Sequence, residues 1–530
     1  MIASVKAIKP ILLLSLICLI CFAPFANKKF HIDSTVTAYM AQQILVNPLN
    51  PPLGEFGRHL IPWNHTDLPE TSAFYATPHP PLLPLYSALI VKLFGLHEQA
   101  LNWSFFPFYL LSVLLCYQFA RRIQLKYAVA AAILFAVSPM VFVNSQNIMN
   151  DMPVTALMMA SLYYMIKNDR YRSALLAGLF AGLACLTKFT AGSLIISAIV
   201  FYGYKRQWRN LLLFSLPFLI CNGLWLLHNQ IVFHKMQLFA NGHAHYIWGD
   251  IRYRFERMIS FIGGTIILPV FVLLIGVVIR KYRFFTIGVV GVSLTWALAL
   301  RWHLHYSTSS CLLYALCASA GILMLGGSLL WFRRTKSEPA FAALSTHVLL
   351  QAVGGLFLTL YAVRYALPMA FVFILWLIMV VEQLKNIRFE RIIVATAIGS
   401  SILLSLMLSL SDYQVADAEC RIAQDVKQDY PLAQAYFRGR LGYLYYMKQA
   451  GFSDIRVDED RYVPGDVFVI NGLYKTDHGF IDGHHLALHK TYRYPLFPLR
   501  TIGGRAGFYG HDRLPYAYVR PSEYQFLIYR

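Results

Sequence analysis

Residues 127–166 read YAVAAAILFAVSPMVFVNSQNIMNDMPVTALMMASLYYMI, two apolar blocks joined by a short polar turn. Asp151 is the only charged residue in this stretch. An apolar block of about 20 residues is long enough to span the hydrocarbon core of a bilayer. Basic clusters flank the pair, at Arg121–Lys126 and Lys167–Arg172. Because basic residues concentrate in cytoplasmic loops, the pair is predicted to cross the membrane outward and back, with Asp151 at the outer turn.

The whole composition agrees with this local pattern. The chain is 57% hydrophobic and only 14% charged, whereas soluble proteins are about one quarter charged. The net charge of +20 comes from basic residues in short loops between apolar blocks. Orientation in the membrane and anionic lipid account for that charge, so no nucleic-acid partner is expected. The composition predicts an all-α polytopic membrane protein.

Further apolar blocks predict the remaining spans. They lie near residues 10–26, 100–120, 210–228, 259–279, 284–301, 310–332, 340–363, 366–382 and 392–411. The stretch 174–203 must begin and end on the inner side, which predicts a hairpin of two short helices with Lys188 near its outer turn. The prediction is therefore roughly 13 membrane segments.

Residues 1–411 are predicted to form a transmembrane domain. Two regions are predicted to lie outside the membrane: an outer loop at 27–99 and the C-terminal residues 412–530. Within that loop Pro81–Leu96 is apolar but short for a span, so it is predicted to lie along the outer interface. Residues 412–530 turn polar, with turn signals beside short β-type runs, which predicts a small α/β extracytoplasmic domain.

Two carboxylates are candidates for acid–base chemistry. Asp33 directly follows the first predicted span, and Asp151 lies in an outer turn. A carboxylate at a membrane exit can deprotonate an acceptor hydroxyl or amine, and ionisable groups at the edge of hydrocarbon are often functional. Helix capping is the alternative for both, because Asp is a strong N-cap residue and Pro153 suits an early helical position.

Two cations and one histidine are candidates for binding an anion. Lys188 interrupts an apolar hairpin, and Arg364 opens a late span on the predicted outer side, against the usual inner bias of arginine. Phosphate suits both side chains. The alternatives are a lysine that reaches the interface through its long side chain and an interfacial arginine anchor. His79 precedes two prolines and could contact an anionic ligand, although a lone loop histidine is usually inert.

All five candidates map to the predicted outer boundary, where a phosphate head group on a lipid tail would lie. No P-loop, nucleotide-binding glycine loop or Ser-His-Asp pattern competes with this interpretation. Carboxylates beside a pyrophosphate would also suit a divalent metal, so a metal cofactor stays open.

The order of these motifs resembles that of bacterial membrane glycosyltransferases of the GT-C fold class, in the group of the protein O-mannosyltransferases and lipid A aminoarabinose transferase. The resemblance covers about residues 10–385. It rests on Asp33 in the first acidic motif, His79-Pro80-Pro81-Leu82 before the interfacial helix, Asp151 in the second acidic motif, the small-residue run 177–188 ending in Thr187-Lys188, and Arg364-Tyr365-Ala366-Leu367-Pro368. Ser34 stands where many members carry a second carboxylate.

The resemblance implies an inverting glycosyltransferase of the bacterial inner membrane, with residues 412–530 in the periplasm. The donor would be a polyprenyl-phosphate-linked sugar, with its phosphate near Arg364, Lys188 and His79. Asp33 would deprotonate a lipid, glycan or protein acceptor, and Asp151 would orient the acceptor or the sugar. Members of this group generally use Lys and Arg in place of a metal.

Three other functions fit the same residues. A transporter or flippase of lipid-linked sugars would use the outer cations without a base. A polymerase or ligase would move whole glycan chains from lipid pyrophosphate. A non-catalytic assembly protein would use residues 412–530 as a docking module.

Overall fold

The computed structural model describes residues 2–60, 72–77, 79–167, 171–237, 251–279, 282–334, 339–357, 361–431, 434–455, 466–471, 486–503, 505–510, 512–520 and 523–530. The helices are α1 Ile2–Phe22, α2 Ser34–Val46, α3 Gly54–Leu60, α4 Ala73–Ala76, α5 Leu82–Phe94, α6 Glu98–Arg122, α7 Ala128–Val137, α8 Pro139–Ser145, α9 Asp151–Lys167, α10 Tyr171–Thr187, α11 Ser193–Tyr204, α12 Trp208–His228, α13 Ile251–Thr265, α14 Pro269–Val278, α15 Arg283–Leu304, α16 Thr308–Arg334, α17 Pro339–Leu356, α18 Leu367–Glu382, α19 Ile387–Asp429 and α20 Leu441–Gln449. The strands are β1 Ala435–Arg438, β2 Ser453–Asp454, β3 Val467–Asn471, β4 Leu488–Pro495, β5 Leu499–Arg500, β6 Ile502–Gly503, β7 Ala506–Gly507, β8 Ala517–Tyr518 and β9 Glu523–Tyr529.

The helical part has the length and composition of a multi-pass membrane protein. Within the described ranges, eight helices are long and apolar enough to cross a membrane, and ten spans result if each of two bent helix pairs counts as one. The bends are 59° between α7 and α8 and 86° between α13 and α14. Each bend precedes a proline, Pro139 or Pro269, which lacks the N–H that a continuous helix requires. The polytopic all-α class is confirmed, while the count of roughly 13 segments stays a prediction.

Three of the basic loops meet at one end of the bundle. Arg122 donates hydrogen bonds of 3.1 Å to the carbonyl oxygens of Ile166 and Lys167, at the end of α9. Lys126 pairs with Glu390 of α19 at 2.7 Å. These contacts bring the α6–α7 turn, the end of α9 and the start of α19 together. The other ends of α9 and α18 carry Asp151 and Arg364, so these two residues lie at the opposite end of the bundle.

The C-terminal region forms a small α/β unit, as expected. Its five-stranded sheet has the order β2-β1-β3-β9-β4, with β1 parallel to β2 and β3, and β9 antiparallel to β3 and β4. Helix α20 packs on this sheet, and the Tyr443 hydroxyl donates a 2.9 Å hydrogen bond to the Val469 carbonyl of β3. Small strand pairs, β5–β8 and β6–β7, follow β4 along the chain.

Helix α19 connects the two regions. Its 43 residues give a length of about 65 Å, roughly twice the hydrocarbon thickness, so it extends well beyond the bilayer. Asp425, near its far end, accepts a 2.6 Å hydrogen bond from Tyr494 of β4. The predicted boundary after residue 411 falls inside this continuous helix. The division into domains 1–411 and 412–530 stays a prediction.

Candidate active site

Four separate segments bring the candidate carboxylates and cations together. Asp33 lies between α1 and α2, Asp151 is the first residue of α9, and Lys188 directly follows α10. Arg364 lies in a 3-10 turn at Val363–Ala366, ahead of α18. Because α9 and α10 run antiparallel, the start of one and the end of the other meet at the same end of the bundle.

Asp33 occupies the N-cap position of α2, but its carboxylate makes no capping hydrogen bond. It instead forms an ion pair with Arg364, with 2.8 Å between Asp33 Oδ2 and Arg364 Nη2. The preceding residue, Ile32, has a φ of +49°, which is uncommon for a β-branched residue and costs about 1–3 kcal/mol. Strain of this kind persists only where the surrounding contacts hold it, and such positions are frequent in functional sites.

Asp151 is the centre of the charge cluster. Its Oδ1 lies 2.7 Å from Lys188 Nζ, and its Oδ2 lies 3.7 Å from Arg364 Nε. The residue is buried, with 4% of its surface exposed. Both of its carboxylate oxygens therefore face cations, which is the arrangement that a buried charge requires.

Lys188 and Arg364 share an aromatic neighbour, Tyr365. The Lys188 ammonium lies 4.0 Å from the centre of the Tyr365 ring, and the Arg364 guanidinium carbon lies 5.5 Å from it. Lys188 is only 6% exposed, so it points into the protein and does not extend to the interface. Arg364 is likewise buried, at 4%. Cation–π contacts help to hold such desolvated cations in place.

Two cavities meet at Asp151. The larger has a volume of about 100 Å³ and is lined by Asp151, Lys188, Arg364, Tyr365 and polar groups that include Gln351. The smaller, of about 30 Å³, is lined by Asp33, His79 and Asp151 together with uncharged polar and apolar side chains. The first has room for a small anionic group beside both cations, and the second lies next to the proposed base.

The charges of Lys188, Asp151 and Arg364 act on the imidazole of His79. Burial lowers the pKa of His79 to about 3, and the Lys188 and Arg364 charges act in the same direction, while Asp151 opposes them. The imidazole is therefore neutral at pH 7. It could donate or accept a hydrogen bond in the smaller cavity, but in this state it adds no positive charge.

The described residues provide little for a metal ion. Among them, no group of three or more His, Cys, Asp and Glu side chains is arranged to hold one. The two site carboxylates face Arg364 and Lys188. A metal would thus have to displace a cation from each carboxylate.

Several residues at the site were not among the sequence candidates. Tyr365 belongs to the motif Arg364-Tyr365-Ala366-Leu367-Pro368, so that motif could have indicated it. Gln351 donates a 2.6 Å hydrogen bond to Ser193 Oγ, and Met149 Sδ lies 3.6 Å from Arg364 Nη1. Neither residue type stands out in an apolar helix or in a polar turn, so no pattern along the chain marks them.

These features define a multi-pass membrane protein with a charged cavity at one end of its helical bundle. Residues 78–233 of the chain match the family model described as Dolichyl-phosphate-mannose-protein mannosyltransferase. The resemblance to this group is thereby confirmed over that segment, which holds His79, Asp151 and Lys188, whereas Asp33 and Arg364 lie outside it. The matched family is described by sugar transfer from dolichyl phosphate to protein.

Solved structures similar to this chain include two of ArnT from Cupriavidus metallidurans. The structure bound to undecaprenyl phosphate is 14% identical, with 92% of this chain and 96% of that chain covered and a TM-score of 0.42. The apo structure is 14% identical, with 99% of this chain and 98% of that chain covered and a TM-score of 0.44. No match was found among the curated proteins.

Proposed function

We propose that this protein is an inverting glycosyltransferase that moves a sugar from a polyprenyl-phosphate carrier to an acceptor at the outer face of the bacterial inner membrane. The observation that carries the proposal is the convergence of Asp33, Asp151, Lys188 and Arg364 on adjoining cavities. The family similarity supports a lipid-phosphate donor, because the matched family is described by transfer from dolichyl phosphate.

The cations are suited to the donor phosphate. Lys188 and Arg364 line the larger cavity together, and both bind phosphate well, Arg364 through a planar guanidinium and Lys188 as a point charge. As the bond between the sugar and the phosphate breaks, its electron pair passes to the phosphate oxygen. The phosphate then gains a negative charge, and the nearby cations stabilise it most strongly at that stage.

Asp33 is suited to act as the base. It lines the smaller cavity, and at 17% its side chain is more exposed than that of Asp151. The acceptor would lose its proton to Asp33 while its oxygen or nitrogen forms the new bond to the anomeric carbon, on the face opposite the phosphate. Asp151, held by both cations, would orient the acceptor or the sugar.

Donor binding would also activate the base. The charges of the two carboxylates and the two cations sum to zero. Asp33 Oδ2 is paired with Arg364 Nη2 at 2.8 Å. A donor phosphate that binds Arg364 competes with Asp33 for the same guanidinium. Release of Asp33 from Arg364 leaves its carboxylate oxygens free to accept the proton of the acceptor. Donor binding is therefore expected to precede proton abstraction.

The test uses purified protein in vesicles that contain an envelope extract from cells lacking it. A panel of polyprenyl-phosphate sugars, labelled in the sugar and beginning with mannose, is added, and transfer of label out of the carrier is measured. Wild-type protein is expected to transfer one of these sugars. Asp33→Asn is expected to lose transfer but to bind the donor at least as tightly, because Arg364 becomes free and keeps Asp151 as a partner.

Asp417→Asn is the matched control. Asp417 pairs with Arg421 four residues later in α19, with 29% of its side chain exposed, and this variant is expected to transfer at the wild-type rate. Full activity of Asp33→Asn would remove Asp33 from the role of base. Transport of intact lipid-linked sugar without transfer would favour a flippase.

A further inference from the structure

A short segment of the C-terminal region, here called the tail loop (residues 506–510), reaches the segments that carry the candidate site. The Phe508 carbonyl accepts a 3.3 Å hydrogen bond from the Val363 N–H, directly before Arg364. The Tyr509 ring packs edge-on against His31 with 6.1 Å between the ring centres, two residues before Asp33. The loop therefore contacts two of the site-bearing segments at positions next to their charged residues.

The Tyr509 hydroxyl belongs to a closed ring of four hydrogen-bonded side chains. Tyr509 donates to Asp412 Oδ2 at 3.1 Å and accepts from Asn147 Nδ2 at 2.8 Å. Lys28 donates to Asn147 Oδ1 at 2.7 Å and also forms an ion pair with Asp412. Lys28, Asn147 and Asp412 are each at most 2% exposed. The ring is thus a satisfied polar network, which rigidifies the elements that it joins.

The ring connects the segments that carry the two carboxylates. Lys28 lies five residues before Asp33, and Asn147 lies four residues before Asp151. A second link runs parallel to it, since the Ile148 N–H donates a 3.1 Å hydrogen bond to Ser34 Oγ. Ile32, which has a positive φ, lies between Lys28 of the ring and Asp33 along the chain. A strained backbone of this kind persists only where neighbouring contacts hold it.

We propose that Tyr509 is a positioning residue for the proposed transfer: its hydroxyl, through Asn147 and Asp412, sets the spacing between the loop that carries Asp33 and the helix that begins with Asp151. This inference rests on the proposed function and deepens it, because it gives the C-terminal region a part in the site. Among the residues that the structure describes, no hydrogen bond or ion pair joins Tyr509 directly to Asp33 or Asp151, so it acts through the ring.

The experiment compares Tyr509→Phe with wild type in the vesicle transfer assay. Phenylalanine keeps the ring packing against His31 and removes only the hydroxyl. We expect kcat to fall by about 10- to 100-fold, the loss that a displacement of about 1 Å can cause. The KM for the donor is expected to change little, because Lys188 and Arg364 are held by Asp151 and Tyr365.

Tyr443→Phe is the matched control. Tyr443 is also fully buried, and its hydroxyl bonds to Val469 inside the C-terminal region. This variant is expected to keep the wild-type kcat even if its melting temperature falls. Thr501→Val is a second probe of the ring, because Thr501 donates a 2.8 Å hydrogen bond to the other oxygen of Asp412, and a smaller loss of kcat is expected.

The outcomes separate the two proposals. Wild-type transfer with an unchanged kcat in Tyr509→Phe would overturn the positioning role and leave the proposed function intact. A parallel loss of kcat in Tyr443→Phe, or a rise in donor KM that accounts for the whole effect, would also overturn it. A wild-type protein that transfers no sugar from any donor would overturn the proposed function, and the positioning role with it.

Discussion

The Lys188–Asp151 ion pair is buried at the end of a helical bundle, with 2.7 Å between its charged atoms. Burial of two charges costs several kcal/mol per ion, and good geometry is needed to offset that cost. Such a pair adds little net stability, so its presence in an apolar setting is better explained by a role in the chemistry. Removing Lys188, however, leaves the buried Asp151 with the longer contact of 3.7 Å to Arg364, so most of its desolvation cost is no longer offset.

Lys188→Met is therefore expected to lower the free energy of unfolding by about 3–5 kcal/mol, measured as a large fall in melting temperature in detergent. Lys188→Met combined with Asp151→Asn should recover part of that loss while transfer stays absent. The exposed Lys92 provides the control, since Lys92→Met should change neither quantity. A double variant as unstable as the single one would show that the two side chains are not coupled.

His79 makes stability depend on pH. Its pKa is about 3 in the folded protein, against 6.5 for the unfolded chain, so the unfolded state binds the proton first as the pH falls. Stability is full above about pH 7 and decreases below pH 6.5. The loss at pH 5 is about 2 kcal/mol.

His79→Gln should remove this part of the pH dependence. The fall in melting temperature between pH 7.5 and pH 5 is expected to be smaller in the variant than in wild type. His489→Gln, at an exposed position of β4, should leave the fall unchanged. An equal fall in all three proteins would mean that His79 is solvated in the folded state.

Helices α10 and α12 approach each other closely, and α10 leads directly to Lys188. A Cβ on Gly178 would lie 2.0 Å from the Phe214 carbonyl oxygen, and one on Gly182 would lie 3.1 Å from Cys221 Cβ. Small residues at such positions let membrane helices pack closely. The small-residue run 177–188 is thus explained by helix packing, and this packing positions Lys188 at the end of α10.

Gly178→Ala is expected to destabilise the protein by about 1–3 kcal/mol and to reduce transfer, because α10 must move away from α12 and carries Lys188 with it. Gly223→Ala on α12 is the control, since a Cβ there meets nothing within 4 Å, and alanine favours a helix over glycine. Melting temperature and transfer rate measure both effects. Equal behaviour of the two variants would contradict the packing argument.

Across the molecule, the charged cavity lies at the end of the bundle opposite the three basic loops that contain Arg122, Lys167 and Arg388. If basic loops face the cytoplasm, the cavity and the C-terminal region face outward. Gln449→Cys, on α20, should then react with a membrane-impermeant maleimide in spheroplasts. Arg388→Cys, at the start of α19, should react only after permeabilisation.

Wild-type protein is the background control, because all eight native cysteines are buried or partly buried. The reverse labelling pattern would place the candidate site in the cytoplasm. It would also exclude a donor and an acceptor on the outer face.

The apolar blocks and basic loops were sufficient to predict the class of fold and most helices. The predicted spans at 127–146 and 366–382 correspond to α7–α8 and α18, since hydrocarbon thickness dictates block length. The proline bend between α7 and α8 and the extension of α19 beyond residue 411 were not predicted. The bend has a local cause in Pro139, whereas the extension of α19 depends on its packing against the C-terminal region.

The sequence by itself was also sufficient to predict which charged residues belong to the candidate site. Charged groups are costly at the edge of a membrane, so they stand out in apolar surroundings. Only the tertiary structure decided their partners: Asp33 with Arg364 in place of a helix cap, and Lys188 with Asp151 in place of the interface. The ring of Lys28, Asn147, Asp412 and Tyr509 likewise joins positions up to hundreds of residues apart. Spacing along a chain records local periodicity, whereas such contacts arise from the packing of whole helices and the folding of the C-terminal region against them.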